Sequence, residues 1–210
     1  MVWYPRMNLD RINIREAMTC AVLGAGGAVV FQFVFPGGAI STLMHQVLHL
    51  PGPGAGIAVI IGPFAIMIAT IACFLKPGAG RAFIASLTFV LMQILLSKLL
   101  VGSSNSKGML GSPLFIAAVS IMGLMMELSL ILTRKLGPVW RSIIAGSSAN
   151  VALLVFCWTV IFPRTNGWIQ LGSIPILMGL CLVFGLFFGY LGWLISRPLS
   201  KVLAPQQYKE

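Results

Sequence analysis

Residues 113–133 read PLFIAAVSIMGLMMELSLILT, and Glu127 is the one charged residue in this stretch. About 20 consecutive apolar residues form a helix long enough to cross the hydrocarbon core of a bilayer. Pro113 opens the stretch, and Arg134 and Lys135 follow it directly. Proline is favoured in the first turn of a helix, and cations are favoured at the lipid–water boundary. We therefore predict a transmembrane helix here.

Five further stretches of similar length are almost free of charge and are separated by joints that contain proline, glycine or serine. Such residues punctuate helices. These predicted spans lie at about 17–35, 55–75, 82–101, 142–162 and 172–196. The chain is 58% hydrophobic and 9% charged, whereas about a quarter of the residues in a soluble domain are charged. The sequence therefore predicts an all-α membrane protein, a bundle of six transmembrane helices.

The distribution of positive charge predicts the topology of this bundle. Of the fourteen Lys and Arg residues, eleven belong to the side that holds both chain ends, and three belong to the other side. The eleven are Arg6, Arg11, Arg15, Lys76, Arg81, Arg134, Lys135, Arg141, Arg197, Lys201 and Lys209, and the three are Lys98, Lys107 and Arg164. Positive residues accumulate on the cytoplasmic side, so we predict a plasma-membrane protein with both termini in the cytoplasm.

Three segments follow from this topology. We predict a cytoplasmic amphipathic N-terminal segment at 1–16, a six-helix transmembrane domain at 17–196 and a cytoplasmic tail at 197–210. The first outer connection, 36–54, is long and mostly uncharged, and its middle reads ISTLMHQVLHL. Long ordered loops often cover binding sites. This segment is either a lid over a binding site or a plain interfacial helix.

Three polar residues within the spans are candidates for ligand binding. Glu127 is the one acid inside an apolar run, and Gln93 and Asn150 fall near the same depth. Ionisable residues within a membrane are costly and usually either functional or paired. Glu127 either binds a cationic ligand group, accepts hydrogen bonds within the bundle, or is protonated. The two amides either contact a ligand or hold helices together.

Histidine and tryptophan residues near the outer boundary are further candidates. His45 and His49 are spaced to share one helix face, but without a nearby Cys or carboxylate they make only a weak metal motif. We predict ligand contact, or a structural role in an interfacial helix, and no metal site. Trp158 and Trp168 flank the outer ends of the last two spans. They either belong to the aromatic belt of the membrane boundary or stack on a ligand.

Two stripes of small residues mark faces where helices can approach closely. Small residues spaced four apart allow such approach. One stripe is formed by Ala17, Ala21 and Ala25 in the first span, and the other by Gly185, Gly189 and Gly192 in the last. Each stripe serves either packing within the bundle or docking of another subunit.

Several catalytic signatures are missing from the sequence. There is no G-x-x-x-x-G-K-[ST] phosphate loop, no HExxH and no GxSxG motif. The four cysteines form no CxxC pair, and each lies in an apolar run, where we expect small buried hydrophobic residues. With one buried acid and no nucleophile–base pair, the sequence predicts a protein that is not an enzyme and needs no cofactor.

Four segments carry a family resemblance that spans most of the chain. They are LDRINIREAMTCAVLGAGGAV at 9–29, LPGPGAGIAVIIGPF at 50–64, FLKPGAGRAFIASLTFVLMQILL at 74–96 and GLMMELSLILTRKLG at 123–137. Together with six spans and a long first outer loop, they resemble the S components of energy-coupling-factor (ECF) ABC transporters. The nearest subgroup is the YkoE type, associated with thiamine or its hydroxymethylpyrimidine moiety. Where that subgroup tends to have an acid in the third helix, this chain has Gln93.

The resemblance implies a role in vitamin uptake. An S component captures a small ligand at its outer face, under the first and third outer loops and between helices four to six. It docks through first-helix alanines, here Ala17, Ala21 and Ala25, onto a transmembrane coupling subunit that two ATPases power in trans. The competing interpretations are a non-catalytic accessory subunit and, with less support, a small lipid-modifying enzyme.

Overall fold

The computed structural model describes residues 13–35, 46, 56–75, 78–101, 113–161, 163 and 174–203. Six α-helices account for most of them, and the described residues contain no strand. The helices are α1 Ile14–Val34, α2 Gly62–Leu75, α3 Arg81–Val101, α4 Pro113–Leu132, α5 Pro138–Phe156 and α6 Ile174–Leu203. Two short π-helical segments extend these helices. Ile57–Ile61 leads into α2, and Cys157–Ile161 continues α5. The prediction of an all-α protein is confirmed.

Five of the six helices are long and apolar enough to cross a membrane. They are α1, α3, α4, α5 with its π-helical extension, and α6. The remaining apolar helix, Val59–Leu75, is shorter. The chain is therefore a multi-pass membrane protein, and a sixth crossing by the shorter helix stays a prediction.

Side-chain contacts fix the relative directions of α1, α3 and α4. Near the start of α1, Glu16 pairs with Arg81 at the start of α3. Near the end of α1, Gln32 receives a hydrogen bond from Gln93, further along α3. These two helices are therefore parallel. Glu127, close to the end of α4, contacts the start of α3, so α4 runs in the opposite direction.

The remaining contacts complete an alternating up-and-down arrangement. Ser129 near the end of α4 lies 2.6 Å from Ser148 in α5, and Asn150 of α5 bonds the Cys181 carbonyl of α6. The start of α1 and the end of α6 consequently lie at one end of the bundle. We call this the proximal end, and the opposite end the distal end.

Helix α2 occupies the centre of the bundle. It packs against α1, α3, α5 and α6, and Ala65, Ile66 and Ala69 are fully buried. Its sequence GPFAIMIATIACFL contains no charged residue. An all-round apolar helix is what a position enclosed by other helices requires. This enclosure explains how α1 and α3 become parallel neighbours while α2 connects them.

Glycines allow α5 and α6 to approach at backbone distance. A Cβ atom added to Gly185 would lie 2.7 Å from the Gly146 carbonyl oxygen, and one added to Gly189 would collide with the Ser142 carbonyl. Gly192 meets α2 instead, where an added Cβ would lie 2.7 Å from the Met67 carbonyl oxygen. The glycine stripe of the last span therefore serves packing inside the bundle.

The last helix is longer than its sequence predicts. A stop was expected at Arg197-Pro198, yet α6 continues to Leu203 with Pro198 inside it. A helix of this length extends about 45 Å, well beyond the roughly 30 Å of hydrocarbon. Proline removes one backbone hydrogen bond, and near the water boundary the freed carbonyl can bond to solvent. The proposed border between membrane domain and tail at this point stays a prediction.

Candidate functional site

Glu127 lies at the proximal end and binds the backbone of a neighbouring helix. Its Oε2 accepts a hydrogen bond from the amide of Gly80 at 2.8 Å, and its Oε1 accepts one from the amide of Phe83 at 3.0 Å. The first amides of a helix have no partners within the helix. A carboxylate is well suited to them because the helix N-terminus carries partial positive charge. Both oxygens of Glu127 are thus engaged in joining α4 to α3.

An ion pair that the sequence did not indicate lies beside this contact. Arg81 Nη2 is 2.6 Å from Glu16 Oε2, and the Arg81 side chain is only 6% exposed. Gly78 lies directly against the guanidinium, which leaves no room for a Cβ atom. The turn before α3 uses Gly80 at φ 83°, a conformation that glycine adopts without strain. Parallel packing of α1 and α3 was the information needed to foresee this pair.

Gln93 lies at the junction of α1 and α3, in the distal half. The residue is 4% exposed, and its Nε2 donates to Gln32 Oε1 at 2.8 Å. Its Oε1 is buried and has no hydrogen-bond partner among the described residues. A buried polar atom without a partner costs about 1–3 kcal/mol. Within the described residues, this amide is a buried polar group of the distal half that is only partly satisfied.

Four aromatic rings surround the same region of α1, α2 and α3. Phe31 is in contact with Phe35, Phe64 and Phe89, with ring centroids 5.2, 5.2 and 5.8 Å away. Phe31 and Phe89 are buried, whereas Phe35 and Phe64 are partly buried. Tilted and edge-on geometries at these distances are favourable for aromatic pairs. We call these residues the phenylalanine cluster.

Asn150 is fully buried at the junction of α5 with α6 and α2. Its Nδ2 donates to the Cys181 carbonyl at 3.0 Å. A side chain at Gly62 would collide with its Oδ1. Asn150 therefore holds three helices together, in agreement with the packing alternative for this amide.

The structure places Trp158 in the π-helical end of α5, partly buried against the core. Its indole Nε1 is buried and without a hydrogen-bond partner in the described part of the chain. The other aromatic and imidazole candidates, His45, His49 and Trp168, lie outside the described residues. The predicted binding residues are therefore divided between the two ends of the bundle, with Gln93 and Trp158 in the distal half and Glu127 at the proximal end.

The alanine stripe lies at the edge of the packed face of α1. Ala17, Ala21 and Ala25 are each partly exposed. The buried face next to them consists of Cys20, Gly24, Gly27, Ala28 and Phe31. Because the stripe is accessible and small, a second helix has room to approach α1 there. Its use as a docking face stays a prediction.

The described residues do not form a metal-binding site. No group of three or more His, Cys, Asp or Glu side chains among them is placed to hold a metal ion. The four cysteines are free and buried. They lie in α1, α2, α6 and the π-helical end of α5, as the sequence predicted for small core residues.

Comparisons with known proteins give one informative match. No protein-family model matches the chain, and no curated protein matches its sequence. A solved structure described as an S-component of an ECF transporter is similar with a TM-score of 0.62 and 21% sequence identity. The similarity covers 92% of this chain and 86% of that one. The chain therefore has the fold of an ECF transporter S component.

Proposed function

We propose that the protein is the substrate-binding membrane subunit of an ECF-type importer of vitamins or related micronutrients. The observation that carries this proposal is the shared fold, which covers 92% of the chain at a TM-score of 0.62. The sequence resemblance, found independently in short motifs of α1, α3 and α4, supports the same assignment. The proposal includes two partners, a transmembrane coupling subunit and a pair of ATPases, since the chain has no phosphate loop of its own.

In the proposed topology, the proximal end faces the cytoplasm and the distal end faces outward. Exposed cations at the proximal end, among them Arg15, Arg134, Lys135 and Arg197, support this orientation through the positive-inside rule. We place the capture site at the distal end, where the described residues contribute Gln93, Trp158 and the phenylalanine cluster. His45, His49 and Trp168 stay predicted ligand contacts. A mostly apolar site with few placed polar groups is typical of small-molecule binding.

The ligand is proposed to be a small vitamin or vitamin precursor. Thiamine and hydroxymethylpyrimidine enter the test because of the sequence resemblance. Binding of a cationic ligand group was one alternative for Glu127, and its carboxylate bonds the first turn of α3 at the proximal end, in agreement with the hydrogen-bonding alternative. Glu127 is therefore not part of the proposed capture site.

Thermal-shift measurements on the purified protein in detergent test the proposal. The panel consists of vitamins and their precursors at concentrations up to 1000 times a micromolar Kd, where a bound ligand stabilises the fold by about 4 kcal/mol. We expect at least one compound to raise the unfolding temperature, and titration calorimetry to give one site per chain. If no compound binds while the protein remains helical and monodisperse, the accessory-subunit alternative replaces the proposed function.

A further inference from the structure

The acidic residues that the structure describes, Glu16 and Glu127, both lie at the proximal end. The chain has four acidic residues, Asp10, Glu16, Glu127 and Glu210. Glu16 lies in the first turn of α1, and Glu127 contacts the start of α3. Asp10 precedes the cap residue of α1 by three positions, and Glu210 follows the end of α6 by seven. None of the three connections between distal helix ends, 36–56, 102–112 and 162–173, contains an aspartate or glutamate.

The distal half instead has positively charged side chains. Lys98 lies in the last turn of α3 and is exposed. By sequence, Lys107 belongs to the connection that follows α3, and Arg164 belongs to the connection that precedes α6. By sequence, Lys98 and the three connections together thus hold three cations and no carboxylate. At physiological ionic strength charges act over about 8 Å, and further where lipid and protein replace water. An anionic molecule is attracted to this end and a cationic one is repelled.

Buried hydrogen-bonding groups without partners lie in the same half. One end of the Gln93 amide is unpaired, as is the indole Nε1–H of Trp158, within the described residues. Amide oxygen and nitrogen are assigned from their surroundings. If the amides of both Gln93 and Gln32 are turned over, the Gln93 oxygen accepts from the Gln32 NH₂ group, and the Gln93 NH₂ group becomes the free donor. Both residues can then offer N–H groups, which bind a carboxylate or another oxyanion more strongly than a neutral acceptor.

A cationic ligand would have no carboxylate as a partner among the described residues of the distal half. Taking a charge out of water into an apolar site costs several kcal/mol unless an opposite charge or several hydrogen bonds compensate. The phenylalanine cluster could stabilise a cation by about 0.5–2 kcal/mol through its ring faces. This gain is smaller than the cost, and the excess of lysine and arginine in the sequence at this end opposes it further.

We infer that the captured ligand is a small organic anion whose charged group is bonded by the Gln93 amide, on the side of the bundle where the sequence has lysine and arginine but no carboxylate. This inference rests on the proposed function and narrows its substrate class. The apolar remainder of the ligand then packs against the phenylalanine cluster. A cation such as thiamine is not the substrate under this inference.

The test uses the same thermal-shift panel, grouped by charge: thiamine as the cation, hydroxymethylpyrimidine and nicotinamide as neutral compounds, and nicotinate, pantothenate, biotin and lipoate as anions. We expect stabilisation by at least one anion and none by thiamine. Binding of thiamine, or of neutral compounds alone, overturns the anion assignment and leaves the proposed function standing. If no member of the panel binds, the result counts against the proposed function itself, and the anion assignment is then overturned as well.

Two variants test the residues with the anion that binds. Lys98→Glu should weaken binding about three- to tenfold at low salt, with the difference vanishing at high salt because the charges are then screened; Lys98→Gln should have a smaller effect. Gln93→Leu should weaken binding about tenfold or more, as expected for loss of a hydrogen bond to a charged group. Circular dichroism and the melting temperature without ligand show whether each variant is folded. Unchanged affinity in folded Gln93→Leu and Lys98→Glu proteins overturns the inference.

Discussion

Glu16 and Arg81 form an ion pair with 2.6 Å between Oε2 and Nη2, which ties the first turn of α1 to the first turn of α3. The Glu16 side chain is 26% exposed and that of Arg81 6%. Next to them, Glu127 of α4 binds the same first turn of α3 through its backbone amides. Three helices are thus joined at the proximal end by two carboxylates, and neither carboxylate is left for a ligand at the distal end.

Removing the acid of this ion pair should destabilise the protein. Glu16→Gln leaves the buried guanidinium of Arg81 without its carboxylate, which we expect to cost about 2–4 kcal/mol, since an uncompensated buried charge is the main penalty. Reversible unfolding in mixed detergent measures the change. The double variant Glu16→Gln/Arg81→Met should be more stable than Glu16→Gln alone. A double variant at least as unstable as the single one would mean that the pair is not coupled.

Glu127→Gln separates a structural role from a ligand-binding one. The amide can accept only one of the two backbone hydrogen bonds, so we expect a loss of about 1–2 kcal/mol in stability, similar to the loss of a helix cap. The affinity for the ligand should not change, because Glu127 lies at the proximal end. A variant with normal stability and weaker ligand binding would show that Glu127 belongs to the binding site.

The glycine contact between α5 and α6 predicts a position-specific sensitivity. Gly185→Ala places a methyl group 2.7 Å from the Gly146 carbonyl oxygen, so the helices must move apart, at a cost of about 1–3 kcal/mol. Gly179→Ala on the same helix is the matched control, because a Cβ atom there meets nothing within 4 Å. The free energy of unfolding should be clearly lower for Gly185→Ala than for Gly179→Ala. Equal stabilities would contradict the close approach of the two helices.

The proposed orientation can be tested by labelling, because the native cysteines are all free and buried. Lys98→Cys introduces a thiol at an exposed distal position, and Lys135→Cys introduces one at an exposed proximal position. A membrane-impermeant maleimide should label K98C in intact cells and K135C only after permeabilisation. The wild-type protein should remain unlabelled in both cases. The reverse pattern would place the distal end in the cytoplasm and remove the outward-facing capture site.

Docking through the alanine stripe predicts a separation of binding from transport. Ala21→Trp should leave ligand binding by the isolated protein intact but abolish uptake by the assembled transporter, because the indole blocks approach of a partner helix to α1. Val183→Trp is the control, since Val183 lies on α6 with 62% of its surface exposed, and it should retain both activities. Loss of binding together with uptake in Ala21→Trp would show that the stripe serves internal packing.

Helix positions were predictable because each span combines an apolar run with punctuation at its ends. Pro113 opens α4 as expected, and Arg134 and Lys135 lie in the turn that follows it. Helix α5 begins at Pro138 rather than near residue 142, because proline fits the first turn of a helix. The charged Arg141 is accepted within the first turns, where its Nη2 donates to the Leu130 carbonyl at 3.3 Å.

The partners of the polar residues were not predictable from the sequence. The partners of Glu127 are backbone amides freed by the start of α3, and no side-chain pattern in the sequence indicates them. Gln32 and Gln93 meet because α1 and α3 are parallel neighbours, which no local pattern reveals. A shift of one residue in helical phase turns a side chain by about 100°. The direction in which each side chain points can therefore be determined only from the packed structure.

The central position of α2 has a consequence for biosynthesis. Two of its four main neighbours, α5 and α6, are the last of the six described helices to leave the ribosome. Until they are inserted, the apolar α2 lacks two of its packing partners. A nascent chain halted before residue 174 would therefore lack α6, one of the helices that enclose the core. We expect truncation of α6 to send the protein to membrane proteolysis, rather than to yield a smaller functional bundle.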